Sequence, residues 1–304
     1  MEGEHLTVKT NGINIHVAAM GPTDGAVVLL LHGFRAVAPD LRGYGDSHAP
    51  PEISSYTCFH IVGDLIDVIS SVTASDEEKV FVVGHDWGAI MAWYLCLFRA
   101  DRVKALVNLS IPFCFPPLDP TVKVVDTLSK FYGDDCCVCR FQEPGEVESE
   151  FTKAGTERVL KTLFTYNEPK PFTLPRNVDI WGSPDSPIPL PPWLSEDDVR
   201  YYVTKFEKTG FSGPVNFYRN LDRNCELLAP WKGSKIRVPT KFVIGDEDLV
   251  YAMPGVKEYV RGDKFREEVP LLEESVVMEG VGHFLNQEKP DEILRHIHRF
   301  ISKF

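Results

Sequence analysis

Short apolar runs alternate with longer amphipathic segments along this chain of 304 residues, and this alternation restricts its fold more than any other feature. Val80–Val83 and Val103–Leu109 are short apolar runs, and between them Ala89–Phe98 has the length and pattern of a helix. Strands that alternate with helices form a mostly parallel, doubly wound sheet, because each helix returns the chain to the start of the next strand. The sequence therefore predicts an α/β fold. The remaining predicted elements are two strands around Asn11-Gly12, strands at Val27–Leu31, Arg35–Ala38, Val238–Ile244 and Ser275–Met278, and helices at Ser55–Ser71 and Asp291–Phe304.

The pattern changes between residues 111 and 231, where prolines cluster and the intervening segments are typical of helices and loops. The strand pattern resumes after Trp231. We therefore expect residues 1–110 and 232–304 to form the α/β core, and residues 111–231 to form an inserted helical cap.

Two of the predicted strands follow one another almost without a connection. Only His32, Gly33 and Phe34 separate Val27–Leu31 from Arg35–Ala38. Parallel neighbours need a crossover of about a dozen residues or more, so three residues permit only a hairpin. This predicts that a segment of the usual α/β pattern is missing here.

Composition argues against several classes of partner and site. The formal net charge of −12 argues against a nucleic-acid or anionic-membrane partner. No apolar stretch approaches the roughly 18 residues of a membrane span, and Met1–Thr10 has no apolar signal-peptide core. Cys136-Cys137-Val138-Cys139 has no second pair of ligands at a suitable spacing, so no metal site is predicted. Nothing in the sequence indicates an oligomeric state.

Cysteine usage favours a location in the cytoplasm. Seven cysteines without a secretory signal indicate reduced thiols inside a cell. Ser302-Lys303-Phe304 shares two of its three residues with the Ser-Lys-Leu peroxisomal signal, which makes the peroxisome the alternative location.

The segment Gly84-His85-Asp86-Trp87-Gly88 has a glycine two places either side of an aspartate, at the turn from a predicted strand into a predicted helix. This is the pattern of a nucleophile elbow, in which a tight, strained turn presents the central side chain at a helix N-terminus. We expect side chains at both glycine positions to collide with the neighbouring strand and helix. Asp86 is the predicted nucleophile, and the alternative is a turn that uses two glycines without a catalytic role.

Two later segments complete a chain order of nucleophile, acid and histidine. Asp248 and His283 each follow a predicted strand, as the acid and the histidine do in hydrolases with this elbow. His283 is therefore the predicted base and Asp248 the acid that orients it. Asp246 lies two residues earlier, which leaves open which carboxylate orients the histidine and which caps the following turn.

An aspartate at the elbow narrows the chemistry. A carboxylate needs no deprotonation at pH 7 and displaces a leaving group at a saturated carbon, which gives an ester that water can reopen. A serine would give an ether, which is not hydrolysed. Asp86 therefore indicates an epoxide or haloalkane substrate, with His283 as general base for the attacking water and the backbone N–H groups of Trp87 and Phe34 as donors to the oxyanion. This chemistry needs no metal or organic cofactor.

The sequence resembles the soluble epoxide hydrolases of the α/β-hydrolase family, and most closely the plant type. The resemblance implies that Asp86, Asp248 and His283 form the triad and that the inserted cap lies over it. It also implies that the enzyme adds water to an epoxide, of the fatty-acid or small aromatic class, to give a vicinal diol through a covalent ester on Asp86. The matching stretches run almost from end to end: His32-Gly33-Phe34, Ala38–Ser47, Val83–Ala89, Arg140–Glu146, Trp193–Tyr202, Asn216–Asn220, Gly245–Leu249 and Val281–Glu292.

In this family two cap tyrosines donate hydrogen bonds to the epoxide oxygen. Tyr218 matches one of them, and the position of the other holds Cys137, whose thiol is a weaker donor than a phenol. By analogy with the loss of one oxyanion-hole donor, this change is expected to lower turnover by roughly 10²–10³-fold. Cys137 and His85 are assigned to the substrate pocket.

The family also has a proline, a loop and a helix after His-Gly-Phe, whereas here Phe34 is followed directly by Arg35. The loss of four large apolar side chains on such a helix would cost roughly 6–12 kcal/mol, which rivals the roughly 5–15 kcal/mol stability of a typical domain. We therefore hypothesise that the chain is a truncated or mis-spliced form of a working hydrolase, with reduced activity. The alternatives to an epoxide hydrolase are a dehalogenase with the same nucleophile and a non-catalytic protein that binds a ligand in the capped pocket.

Overall fold

A computed structural model describes residues 3–23, 25–29, 35–113, 123–176, 178–183 and 186–304. In these residues eight strands form one sheet. The strands are β1 (Glu4–Thr10), β2 (Ile13–Met20), β3 (Val27–Leu29), β4 (Arg35–Pro39), β5 (Val80–His85), β6 (Val103–Leu109), β7 (Thr240–Gly245) and β8 (Leu272–Met278). Their order in the sheet is β1-β2-β4-β3-β5-β6-β7-β8. All neighbours from β4 to β8 are parallel, whereas β2 is antiparallel to both β1 and β4. The predicted α/β fold with a mostly parallel sheet is therefore confirmed.

The helices agree with the predicted ones to within a few residues where the sequence predicted them. They are α1 (Cys58–Val72), α2 (Trp87–Phe98), α3 (Val124–Tyr132), α4 (Cys137–Arg140), α5 (Glu146–Ala154), α6 (Thr156–Phe164), α7 (Glu196–Thr209), α8 (Ser212–Arg219), α9 (Leu221–Leu228), α10 (Val256–Arg261), α11 (Asp263–Glu268), α12 (Leu285–Glu288) and α13 (Pro290–Ile301), with single 3₁₀ turns at Ile53–Tyr56, Ala100–Arg102 and Ala229–Trp231. Among the described helices, none combines the length and apolar character needed to cross a lipid bilayer.

The turn between β1 and β2 has the predicted chemistry. Asn11 and Gly12 both have positive φ angles, 20° and 79°, and Thr10 pairs with Ile13 directly across the turn. Such angles are those that a two-residue type I′ hairpin requires and that Asn-Gly supplies most easily.

The strands β3 and β4 correct one prediction, because they are parallel neighbours and not a hairpin. Val27 pairs with Arg35, and Val28 pairs with Ala36. The described strand ends at Leu29, and the remaining two residues of the predicted strand, Leu30 and Leu31, lie outside the described residues. Five residues separate the described ends of β3 and β4, and a chain of five residues can span about 17 Å at most. Neighbouring strands are only about 4.8 Å apart, so this length is enough to reach the start of a parallel neighbour of three residues. The rule of a long crossover applies to strands of ordinary length.

Side chains of β6 alternate between two covered faces of the sheet. Val107 and Leu109 belong to a buried apolar cluster with Ile293 and Ile297 of α13. Asn108, between them, points to the other face, where its amide donates to the carbonyl of Ala89 in α2 at 2.9 Å. Because successive side chains of a strand point to opposite faces, α2 and α13 cover opposite sides of the sheet.

By contact density the described chain divides into two compact units. The first comprises Met1–Asp40, Cys58–Cys114 and Gly233–Phe304 and contains the sheet; the second comprises Leu41–Thr57 and Phe115–Lys232. The segment Leu41–Thr57 thus belongs to the second unit, although the sequence placed it within the core. The functional division into core and cap remains a prediction.

The second unit is organised around two arginines with little solvent exposure. Arg140 is fully buried and donates to Glu150 at 2.6 Å. Arg219 donates to Glu148 at 2.7 Å and to the carbonyl of Phe141, also at 2.7 Å. Buried guanidinium groups are stable only when paired in this way, so these pairs fix the positions of α4, α5 and α8 within the unit.

Insertion of the proline, loop and helix of a plant epoxide hydrolase between Phe34 and Arg35 should stabilise the chain. If the segment restores roughly 6 kcal/mol or more of apolar burial, the thermal midpoint should rise by at least about 10 °C. Differential scanning calorimetry of both chains measures the shift, with a Gly/Ser insert of equal length as control. A sharp, cooperative transition of the unmodified chain at nearly the same temperature would contradict the hypothesis of a missing segment.

Candidate active site

Asp86 stands at the junction of β5 and α2, at the carboxyl edge of the sheet. It is the residue before the first turn of α2, and its φ of 50° lies in the left-handed region that few non-glycine residues adopt. Its side chain is 39% exposed. The strained turn thus holds a carboxylate at a helix N-terminus while leaving it accessible to a small molecule.

The two glycines of the elbow have different roles. A Cβ at Gly84 would lie 2.6 Å from the side chain of Asn108 and 2.7 Å from the backbone of Ala89, so that only glycine fits between β6 and α2. Among the described residues, a Cβ at Gly88 would meet nothing within 4 Å. The predicted collision is therefore confirmed at Gly84, whereas at Gly88 the described residues show no collision.

His283 connects two aspartates. Its Nε2 lies 3.5 Å from Oδ1 of Asp86, and its Nδ1 lies 3.2 Å from Oδ1 of Asp248. Asp248 is fully buried, and its Oδ1 also accepts the backbone N–H of Val250 at 2.8 Å. The structure thus brings together the three side chains that the sequence predicted as a triad, with Asp248 rather than Asp246 against the histidine.

Ser110 is a member of this site that the sequence analysis missed. Its hydroxyl donates to Oδ2 of Asp248 at 2.6 Å, and its oxygen lies 3.1 Å from Nδ1 of His283. Like Asp86, Ser110 directly follows a parallel strand and has a positive φ, 70°. Its place at the carboxyl end of β6, between the strands that carry the other residues, is the signal that would have identified it.

The loops after β7 and β8 are held together by a hydrogen bond and by close backbone packing. Asp246 accepts the backbone N–H of Gly280 at 2.7 Å, which is a structural role for this carboxylate. A Cβ at Gly245 would lie 1.9 Å from the carbonyl oxygen of Val281, so the two loops approach as closely as they do only because this residue is glycine.

Glu288, a second residue that the sequence did not indicate, holds the loop that carries His283. Its carboxylate accepts the N–H groups on either side of the histidine, from Gly282 at 2.8 Å and from Phe284 at 3.1 Å.

The charges of Asp86 and His283 stabilise each other. Burial acts to raise the pKa of Asp86, but the hydrogen bond and positive charge of His283, with the backbone N–H of Trp87, lower that pKa to about 2. Burial likewise acts to lower the pKa of His283, but its hydrogen bonds to Asp248 and Asp86 raise the pKa to about 10. At neutral pH the resting site therefore contains an imidazolium between two carboxylates.

Two other predicted residues of this unit lie beside the pair. The backbone N–H of Trp87 is directed at the Asp86 carboxylate. Nε2 of His85 lies 2.8 Å from the carbonyl oxygen of His283, and burial lowers the pKa of His85, so its neutral ring donates this bond. His85 thereby positions the loop of His283, a contact that its assignment to the substrate pocket did not anticipate. Phe34, the other predicted oxyanion donor, lies outside the described residues.

Cys137 and Tyr218, the predicted cap residues, both lie in the second unit. Each packs against one buried apolar cluster that includes Phe141, and the rings of Tyr218 and Phe141 meet edge to face with centroids 5.0 Å apart. The structure therefore brings the two residues to the same cluster.

Comparison with known proteins identifies the family. Residues 25–296 match the model of the alpha/beta hydrolase family. This chain is a member of that family. Epoxide hydrolase 1 of Siraitia grosvenorii is 50% identical to this family member over an alignment that covers 99% of each chain. Epoxide hydrolase A of Mycobacterium tuberculosis is 31% identical to this family member, and the alignment covers 97% of this chain and 96% of the Mycobacterium protein.

Solved structures give the same result. The epoxide hydrolase from Vigna radiata has a TM-score of 0.92 and 49% identity, covering 100% of this family member and 98% of its own chain. Potato (Solanum tuberosum) epoxide hydrolase I has a TM-score of 0.91 and 48% identity, and the match covers 99% of this family member and 100% of the potato chain. The resemblance to plant epoxide hydrolases that the motifs indicated is confirmed.

The comparisons also bear on the hypothesis of a missing segment. The alignment with the Siraitia protein extends over 320 positions, more than the 304 residues of this chain. That relative therefore contains residues that have no counterpart here. The location of the gap after Phe34 stays a prediction from the sequence.

Substitution of the two elbow glycines should separate their roles. Gly84→Ala should destabilise the protein by roughly 1–3 kcal/mol, because the new methyl group meets the backbone of α2. Gly88→Ala should leave stability unchanged or raise it by up to about 1 kcal/mol, because alanine favours a helix and finds no obstruction. Chemical denaturation of both variants measures the difference, and equal stability of the two would contradict the packing described here.

Proposed function

We propose that the chain is an epoxide hydrolase that adds water to an epoxide through a covalent ester on Asp86, giving a vicinal diol. The observation that carries the proposal is the accessible Asp86 carboxylate, 3.5 Å from a histidine that a second, buried carboxylate orients. The relatives, named as epoxide hydrolases over nearly the full length of the chain, support the same reaction.

The first half-reaction uses the resting charges of the site. The Asp86 carboxylate, ionised because its pKa is about 2, attacks one epoxide carbon and forms a carbon–oxygen bond as the ring carbon–oxygen bond breaks. The ring oxygen leaves as an alkoxide and takes a proton from an acid. Tyr218 is the proposed acid, by its match to one family tyrosine, and the Cys137 thiol is the weaker second donor.

Formation of the ester prepares His283 for the second half-reaction. The charge and hydrogen bond of Asp86 are among the causes that raise the pKa of His283, and esterification removes that charge. The pKa of His283 therefore falls, and the ring becomes a base by releasing its Nε2 proton to solvent, which returns a proton to the Tyr218 phenolate. Asp248 and Ser110 keep the ring oriented, with Nδ1 towards them and Nε2 towards the ester.

In the second half-reaction His283 takes a proton from water, and the resulting hydroxide attacks the carboxyl carbon of the Asp86 ester. The oxyanion that forms accepts the backbone N–H of Trp87 and, by the family resemblance, that of Phe34. Its collapse breaks the ester carbon–oxygen bond, releases the diol and restores the carboxylate. One oxygen of the regenerated Asp86 comes from the water.

Fatty-acid epoxides and small aromatic epoxides are the proposed substrate class, on the family resemblance. The relatives favour epoxide hydrolysis over dehalogenation, and a leaving alkoxide needs the acid that Tyr218 supplies, whereas a halide does not. The location in the cytoplasm rests on the cysteine usage alone.

Substitution of His283 by glutamine should trap the ester. The variant retains a nucleophilic Asp86 but lacks the base, so mass spectrometry should detect an adduct of substrate mass on the peptide that contains Asp86. One fatty-acid epoxide and one styrene-type epoxide should be tested, with Asp86→Asn as the matched control that forms no adduct. In the unmodified enzyme, a single turnover in labelled water should place the label in Asp86. Labelled diol beside unlabelled Asp86 would reject a covalent intermediate.

Substitution of Cys137 by tyrosine tests whether the second cap tyrosine of the family, absent from this chain, acts as an acid on the epoxide oxygen. A phenol in this position should raise the rate of ester formation by roughly 10²-fold, by analogy with restoring one donor to an oxyanion. Single-turnover kinetics of Cys137→Tyr and of the control Cys137→Ala measure the effect. Equal rates for the two variants would show that residue 137 does not act on the epoxide oxygen.

A further inference from the structure

The hydroxyl of Ser110 links the buried carboxylate of the site to its histidine. It donates to Oδ2 of Asp248 at 2.6 Å, and its oxygen lies 3.1 Å from Nδ1 of His283. Ser110 and Asp248 are both fully buried. A serine hydroxyl has one proton and two lone pairs, whereas an ionised carboxylate only accepts hydrogen bonds. Because the proton of Ser110 is directed at Asp248, the serine oxygen accepts from His283, and Nδ1 of that ring carries a proton.

Among the described residues, Asp248 has closer hydrogen-bond donors than His283. Its Oδ1 accepts the N–H of Val250 at 2.8 Å, and its Oδ2 accepts the Ser110 hydroxyl at 2.6 Å. Nδ1 of His283, by contrast, lies 3.2 Å from Oδ1 of Asp248. Charge-assisted N–H···O bonds usually measure about 2.7–2.9 Å, so the direct contact of the pair is long. The proton on Nδ1 is therefore shared between Asp248 and Ser110, and Ser110 helps to orient both of its partners.

The backbone at Ser110 is strained. Its φ is 70°, and across it the N–H of Ile111 donates to the carbonyl of Leu109 at 2.9 Å, which makes a γ-turn of the rare, positive-φ kind. Contacts on both sides keep the turn in place: the N–H of Ser110 donates to the carbonyl of Val243 in β7 at 2.9 Å, and the indole of Trp93 donates to the carbonyl of Ile111 at 3.0 Å. Glycine would adopt this φ without a steric cost. A serine held here in spite of the strain indicates a function for its hydroxyl.

We propose that Ser110 is a positioning residue for the second half-reaction, in which its hydroxyl keeps the Nδ1 proton of His283 in place. This inference rests on the proposed ester mechanism. After the ester has formed, the neutral ring has one proton, and it takes a proton from water at Nε2 only while that one proton stays on Nδ1. Loss of the hydroxyl removes one acceptor of the Nδ1 proton and one donor to Asp248, so both the tautomer and the position of the ring are less well defined. Ester formation uses Asp86 as nucleophile and needs no base, so its rate should be independent of the hydroxyl.

Two variants separate the hydroxyl from the backbone strain. Ser110→Ala removes the hydroxyl and keeps a Cβ at a positive φ, whereas Ser110→Gly removes both. Each should slow ester hydrolysis by roughly 10–100-fold, the factor that one hydrogen bond to a charged group represents, and should leave ester formation within about twofold of its rate. The glycine variant should unfold at a higher temperature than the alanine variant, because glycine relieves the strain. A purely structural role of Ser110 predicts instead that both rates follow stability.

Rapid quenching measures the two half-reactions separately. The full-length protein and its variants are mixed with styrene oxide, quenched in acid at set times, and analysed by intact-protein mass spectrometry for the mass of the ester. The rise of the ester gives the rate of the first step, and its decay after dilution of the epoxide gives the rate of the second. Ser275→Ala is the matched control, because it removes a hydroxyl of β8 that donates to the carbonyl of Val260 at 2.8 Å. This control should retain the ratio of the two rates.

The outcomes distinguish this inference from the proposed function. Absence of the ester from the unmodified chain and from every variant would overturn both, because Asp86 would then not be the nucleophile. Formation of the ester, followed by decay at the unmodified rate in the Ser110 variants, would overturn the inference alone. Equal slowing of formation and decay would also overturn it, since that result indicates a structural role. The glycine variant decides the test by itself if the alanine variant does not fold.

Discussion

The contact on which the site depends is the position of His283 between two carboxylates. One of them, Asp248, is fully buried, and the other, Asp86, is partly exposed. This asymmetry supports the proposed roles, because the accessible carboxylate can meet a substrate while the buried one can only orient the ring. In the proposed mechanism it also links the two half-reactions, since the Asp86 carboxylate keeps His283 protonated until Asp86 itself has reacted.

The parallel sheet makes this arrangement possible. Asp86, Ser110, Asp248 and His283 follow the four adjacent strands β5, β6, β7 and β8, and the carboxyl ends of parallel strands meet at one edge. Close packing then sets the distances: only glycine fits at positions 84 and 245. Two positive φ angles, at Asp86 and Ser110, are the backbone strain that the packed sheet maintains at this edge.

Sequence reasoning succeeded where local pattern and sheet geometry agree. The proximity of Asp86, Asp248 and His283 could be predicted because each stands after a recognisable strand in a fixed chain order. Ser110 and Glu288 could not, because the hydrogen bonds of Ser110 join segments 138–173 residues apart, and those of Glu288 lie within a loop whose course the sequence does not define. The β3–β4 prediction was wrong because it assumed that three intervening residues permit only a hairpin, whereas the two strands pair in parallel at Val27 with Arg35 and at Val28 with Ala36.

The short connection between β3 and β4 bears more on the second half-reaction than on the first. β3 still pairs with β5 at Val28 and Phe81, so the strand that carries Asp86 has its neighbour on that side. The nucleophile, its helix and its partner His283 all lie from β5 onwards in the sheet order. Phe34, by contrast, belongs to the connection itself, and its N–H is the donor expected to stabilise the oxyanion of ester hydrolysis. Under the proposed mechanism, a defect in this segment is therefore expected to leave ester formation in place and to weaken ester hydrolysis.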